Sequence, residues 1–251
     1  EKIGSTLTKT VTVPLIGLAT AATKGMEDFR LDLARLETNA QMAGVSIDGL
    51  NEQMRLLAGI TGETDSNVEA LSNLLAAGFD DNNMADIVNE LAGAVIMFPD
   101  TLKIESLADS LQETLATGEA TGQFAELLER LGYNLEDFEV MLRRATEAGE
   151  EHQFILDLLA NKGLADYTEA FKENNPELMK SAAATYDFKT ALKELGDTLT
   201  PIVTQITQYT TRLIELYNNL NPEQQKFVVN LGLIAAAAGP TLSFFGFQST
   251  H

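Results

Sequence analysis

Apolar residues recur every three or four positions along residues 26–175. This spacing places them on one face of a helix, and glycine or proline follows most of the runs, as expected where helices end. Gly59 and Gly62, for example, are predicted to end the second run. No long stretch alternates apolar and polar residues with period two, so we predict short amphipathic helices. Their predicted core positions are Phe29, Leu33, Leu36, Ala40, Leu50, Met54, Leu57, Val68, Leu71, Leu75, Met84, Ile87, Leu91, Val95, Ile104, Leu107, Leu111, Leu115, Phe124, Leu127, Leu128, Leu131, Leu135, Phe138, Leu142, Phe154, Ile155, Leu158 and Leu159.

A different pattern follows residue 176, where ten apolar residues alternate spacings of four and three. This heptad spacing predicts a long helix whose narrow apolar seam packs in a coiled coil. The partner is either another copy, in a homo-oligomer of a few parallel chains, or the chain's own bundle. Pro201 lies inside the helix, so we expect a kink or a helix restart there. The seam consists of Phe188, Leu192, Leu195, Leu199, Ile202, Ile206, Tyr209, Leu213, Leu216 and Leu220.

The chain ends in an apolar segment, and its stretch Phe227–Phe247 contains no charged residue. About 20 such residues suffice to cross a bilayer, but Gly239 and Pro240 interrupt the stretch. Two interpretations remain open: a helical hairpin buried in a larger assembly, or a membrane-inserting segment. The residues that would contact the membrane or the partner are Phe227, Leu231, Ile234, Leu242, Phe244, Phe245 and Phe247.

The first 25 residues are also apolar, with Pro14 in their middle. The run Val11–Ala22 is too short to span a bilayer. We interpret it as a helix or hairpin that docks on a partner, with a membrane-active arm as the alternative.

These patterns predict an all-α chain of four parts. They are an apolar N-terminal arm (1–25), an acidic array or bundle of short helices (26–175), the heptad helix (176–221) and the apolar C-terminal helical segment (222–251). The chain begins with Glu1 instead of methionine and stops just after an apolar run. We therefore expect it to be truncated from a longer protein.

Charge is concentrated in the second part. Residues 26–175 carry 30 acidic and nine basic side chains, against a net charge of −20 for the whole chain. Nucleic acids and anionic lipid headgroups bind through lysine and arginine clusters, so we expect no direct nucleic-acid binding by this segment.

Residues suited to catalysis or metal binding are sparse. The chain has no cysteine and two histidines, which excludes disulfides and thiolate sites. His152 lies at a predicted helix start, where we interpret it as solvated. The run Asp80–Asn83 has the composition of a calcium loop without its ligand spacing, and we interpret it as a turn that caps the next helix. We expect no enzyme activity, no metal and no cofactor.

Three stretches nevertheless resemble a known family. They are Leu7–Leu18, which leads into the helix at Met26–Phe29, then Leu195–Ile202, and Leu220–Lys226, which leads into Ala235–Pro240. In combination and order they resemble tape-measure proteins of phage tails, especially of phages that infect Gram-positive hosts, and of phage-tail-like bacteriocins.

The resemblance implies a structural role. Such proteins fill the lumen of the growing tail tube, set its length by their own length and leave before DNA ejection, and some help to penetrate the cell envelope. Implied partners are the tail tube, tail-tip or baseplate proteins, assembly chaperones and possible contact with the host membrane. The implied location is the virion tail, assembled in the host cytoplasm. The alternative is a membrane-active, toxin-like or pore-forming protein in which the acidic bundle keeps the apolar segments soluble.

The seam prediction can be tested by mutation. Leu199→Asp together with Ile206→Asp would place charges in the coiled-coil core, where burying them without a partner is costly. Sedimentation equilibrium should then show loss of self-association. If the unmodified chain is itself monomeric, the homotypic coiled coil is wrong.

Overall fold

The computed structural model describes residues 27–191, and beyond them Lys193, Glu194, Gln205, Gln208, Arg212 and Asn219. Helices are the regular structure of this described part, which confirms the all-α prediction. In chain order they are α1 (Glu27–Ala43), α2 (Ile47–Thr61), α3 (Asp65–Ala76), α4 (Met84–Met97), α5 (Ile104–Thr117), α6 (Gly122–Arg130), α7 (Leu135–Ala148), α8 (Glu151–Ala160), α9 (Leu164–Asn174) and α10, described over 176–191.

The chain divides into two units, of which the first is the compact unit Glu27–Thr190. Residue 175, the predicted end of the acidic domain, lies between α9 and α10. The unit extends past it and includes α10 up to Thr190. The remaining residues, 1–26 and 191–251, belong to the second unit.

Several helix ends follow local sequence signals. Gly62, Gly118 and Gly149 adopt the left-handed conformation directly after α2, α5 and α7, where a residue without Cβ fits at no steric cost. Asn134 begins α7, and its side chain accepts the N–H of Asp137 at 3.0 Å. This contact satisfies one of the free donors at the start of the helix.

The prediction that Gly59 ends α2 is wrong, because α2 continues to Thr61. Gly59 instead lies on the face of α2 that meets α10, where the side chain of Met179 occupies the space of a Cβ. This glycine is therefore a packing position and Gly62 is the helix stop.

The core is formed by the apolar faces of these helices. Helix α3 packs between α1 and α5, α6 packs on α5, and α4 packs against α9. Most predicted core positions are buried, while Val95, Leu115, Leu131, Leu135 and Phe154 are half-buried at its margin. The largest fully buried side chains are Phe79, Phe124, Phe138, Leu36, Leu50, Met54, Leu57, Leu71, Leu74, Ile87, Leu91 and Leu102.

Helices α4 and α9 cross in close contact. Gly93 of α4 is buried, and the backbone of Leu164, the first residue of α9, fills the place where a Cβ would be. Beside this contact the Thr168 hydroxyl donates to the carbonyl of Asn89 at 2.8 Å. Because the obstacle is backbone, a larger residue at position 93 has to push the two helices apart.

Gly93→Ala should therefore lower the free energy of unfolding by about 3 kcal/mol, the upper end of the usual cost of overpacking. Urea unfolding followed by circular dichroism measures this value.

Gly49→Ala is a matched control in α2. Its added Cβ would meet only the carboxylate of Asp81 at 3.8 Å, so stability should stay unchanged or rise by up to about 1 kcal/mol. If both variants behave alike, the crossing does not depend on Gly93.

Candidate functional site

Helix α10 is held on the bundle by one buried side chain, Tyr186. It is 3% exposed, and its hydroxyl donates to the amide oxygen of Asn51 in α2 at 2.7 Å. Its ring meets Phe29 of α1 edge-to-face, with centroids 6.1 Å apart. Burial raises the pKa of the Tyr186 phenol, so the hydroxyl stays a hydrogen-bond donor at neutral pH.

Weaker contacts flank this anchor. Arg55 and Asp187 form an ion pair at 2.7 Å, but both side chains are substantially exposed, and such pairs contribute little to stability. Met179 packs over Gly59, and Ala182 and Ala183 are half-buried on the same face. These contacts therefore add to that of Tyr186 in attaching α10 to α1 and α2.

The opposite face of α10 is open to solvent. Phe188, two residues after Tyr186 and so about 200° around the helix, is 64% exposed. It is the first residue of the predicted seam. The structure thus separates an inward face that binds the bundle from an outward face that carries a largely exposed phenylalanine.

The remaining seam residues, from Leu192 to Leu220, lie outside the described residues, as do all those predicted to contact a membrane or partner, from Phe227 to Phe247. Gln205, Gln208 and Arg212, which are not seam positions, are helical and exposed. The helices of the described part are too short or too polar to cross a bilayer.

His152 is placed differently from the prediction. The interpretation as a solvated residue is wrong, since its Nε2 lies 2.8 Å from the Ala77 carbonyl and its ring packs edge-to-face on buried Phe79, with centroids 4.8 Å apart. Because a carbonyl only accepts, Nε2 donates this hydrogen bond. His152 thus joins the start of α8 to the end of α3.

The Asp80–Asn83 run is the predicted turn, and its side-chain oxygens accept backbone N–H groups. The carboxylate of Asp80 accepts the N–H of Asn82 at 2.9 Å, and Asn83 accepts the N–H of Asp80 at 2.7 Å. The Asp81 carboxylate accepts the N–H of Ser46 at 2.9 Å. Asn83 is the cap residue of α4, as predicted, and its backbone carbonyl accepts the N–H of Ile87 at 3.0 Å, while its side chain bonds back to Asp80.

Glu90 is a buried acid that sequence reasoning missed. Its side chain lies at the crossing of α4 with α9, is 6% exposed, and accepts the N–H of Ala165 at 3.1 Å. Burial raises the pKa of Glu90 above its ordinary 4.5, the Ala165 N–H lowers it, and Asp166 and Asp86 raise it further. The carboxylate thus caps the first turn of α9 from a neighbouring helix.

Among residues 27–191 and the six single residues, no group of three or more histidine, aspartate or glutamate side chains is placed to hold a metal ion. The described residues with unusual environments, Glu90, His152 and Tyr186, lie apart on different helix pairs and serve packing. On the described surface, the outward face of α10 carries the exposed apolar residues Leu178 and Phe188.

Comparison with known proteins adds no relative. No family model matches the chain, and no significant similarity links it to a curated protein or to a solved structure.

The raised pKa of Glu90 predicts a pH-dependent stability. The folded state takes up a proton at higher pH than the unfolded state, so this group's contribution is fully present below pH 4.5 and is lost as pH rises through the folded-state pKa. Glu90→Gln should therefore be more stable than the unmodified chain at pH 7, and the gap should close towards pH 4 in chemical unfolding experiments.

Glu147→Gln, at an exposed position of α7, controls for the loss of one negative charge from an acidic protein. If both variants differ from the unmodified chain by the same free energy of unfolding at every pH, the role of burial at Glu90 is contradicted.

Proposed function

We propose that this chain is a structural, non-enzymatic segment of a phage tail tape-measure protein, in which the helix beginning with α10 associates with further copies inside the tail tube. The observation that carries the proposal is the orientation of α10. Tyr186 is buried against α1 and α2, while Phe188, the first seam residue, is 64% exposed. A helix attached to a folded bundle by one face, with exposed apolar residues on the other, is suited to assembly.

The charge of the bundle supports the same role. Its helices present most of the 30 acidic side chains of residues 26–175, and the buried acid is Glu90. An acidic surface repels the phosphates of DNA. This property suits a protein that occupies a channel through which a genome later passes, because the protein and the DNA would not bind each other.

The tape-measure identity itself rests on the resemblance of the three sequence stretches. With it come the proposed partners, which are the tail tube, the tail-tip or baseplate proteins and the assembly chaperones, and the proposed location in the lumen of the virion tail. The described residues support the assembly role and the helical architecture on which such a ruler depends.

The proposal predicts that tail length follows helix length. Deleting residues 192–219 removes 28 residues, or four heptads, and joins Ala191 to Leu220 with the four-residue spacing from Phe188 intact. At about 1.5 Å per residue, tails assembled from the parent protein with this deletion should be roughly 42 Å shorter in electron micrographs. A duplication of the same residues should lengthen them equally.

A flexible insertion of 28 residues in the exposed turn between Gly149 and Glu150 is the control. It adds the same mass to a folded bundle without extending a helix, so tail length should not change. Normal tail length after both the deletion and the duplication would contradict the proposed function.

A further inference from the structure

The outward face of α10 carries more than Phe188. Leu178 is 51% exposed, and Ser181 and Thr185 between the two apolar residues are exposed as well. These four residues are spaced three, four and three apart, so they lie in one line along the helix. We call Leu178, Ser181, Thr185 and Phe188 the outer stripe.

The outer stripe is in phase with the predicted seam. Leu192 follows Phe188 by four positions and Leu195 follows by three more, which continues the same alternation without a break. The heptad pattern therefore starts ten residues earlier than the apolar residues alone indicate. Its first two heptads lie within the folded unit, with polar Ser181 and Thr185 where apolar residues would be expected.

Charge identifies the part of the chain on which copies can meet. Residues 176–221 carry five acidic and four basic side chains, whereas residues 26–175 carry 30 and nine. Two bundle surfaces of this charge repel each other. Helix α10 itself, over residues 176–191, carries two acidic and two basic side chains, so it can approach its counterpart in another copy with little electrostatic cost.

We propose that α10 of a second copy docks in parallel on the outer stripe, so that copies meet along the bundles as well as along the later helix. In this arrangement Leu178 faces Leu178 and Phe188 faces Phe188, and the pairing runs into the predicted seam without a register shift. The proposal deepens the proposed function by adding the bundle to the self-association surface, and it rests on that function.

Ser181 and Thr185 make the outer stripe a weaker part of the proposed interface than a continuous apolar seam would be. Thr185 donates to the backbone carbonyl of Ser181 at 2.8 Å within its own helix, so the Thr185 hydroxyl needs no partner across the interface. Leucine at both positions would restore a continuous apolar seam. Such a variant is expected to associate more tightly without any change on the face that Tyr186 anchors.

Sedimentation of the full 251-residue chain tests the proposal. Leu178→Glu should raise the dissociation constant of self-association by roughly tenfold or more, because it places two like charges opposite each other in the seam. Ser181→Leu with Thr185→Leu should lower the constant. Leu31→Glu on α1, where the leucine is 50% exposed and outside the stripe, should leave it unchanged. Circular dichroism checks that each variant folds.

Three results would overturn the proposal. The first is an unchanged dissociation constant for Leu178→Glu while Leu199→Asp with Ile206→Asp still dissociates the chain, which would confine the interface to the later seam and leave the proposed function intact. The second is equal weakening by Leu31→Glu, which would mark a general charge effect. The third is a chain that stays monomeric even with leucine at 181 and 185, which would assign the stripe to another occupant, such as residues 1–25 or a different protein. Failure of the proposed function would instead appear as a tail length that neither the deletion nor the duplication of residues 192–219 changes.

Discussion

The crossing of α4 with α9 is the constraint on which the rest of the described unit depends. At Gly93 the two helices approach so closely that the backbone of Leu164 takes the place of a side chain. Such an approach leaves no room for water, so the polar groups beside it must be satisfied by the protein. Glu90 and Thr168 do this across the crossing, from α4 to the N–H of Ala165 and from α9 to the carbonyl of Asn89.

This crossing also sets where α10 begins. Helix α9 ends at Asn174, and a single residue separates it from the helix that follows. With α9 fixed against α4, α10 returns over α1 and α2, where Tyr186 reaches Phe29 and Asn51. The position of the outward face is therefore a consequence of packing elsewhere in the unit. Tyr186 fixes the inward face of α10, while Leu178 and Phe188 on the opposite face are exposed.

Helical periodicity predicted most of the core, because a residue such as Leu36 or Leu71 is buried by the same rule that places it on the apolar face. Glycines that end a helix, such as Gly62, could also be predicted, because the left-handed conformation they adopt depends only on the local backbone. Gly59 was misread because a glycine that ends a helix and one that admits a neighbouring side chain look alike in sequence. Gly93 gave a signal, a glycine inside a strongly apolar helix, but its partner Leu164 is 71 positions away.

The candidate site could be predicted only in part, again because contacting residues lie far apart in the sequence. The predicted seam follows from spacing, but Leu178 can be assigned to it only because α10 turns Tyr186 inward and the outer stripe outward. His152 illustrates the converse, since nothing near it in sequence indicates the carbonyl of Ala77 that it binds.

The proposed function requires that copies of this chain associate through an apolar helix while their acidic bundles repel one another. Sedimentation equilibrium at increasing salt tests it most directly. Salt screens the repulsion between bundles and leaves the apolar contact intact, so the mass should rise above the 27.2 kDa of one chain and the association should tighten with salt. A mass of 27.2 kDa at every concentration, or an association that weakens as salt is added, would contradict the account.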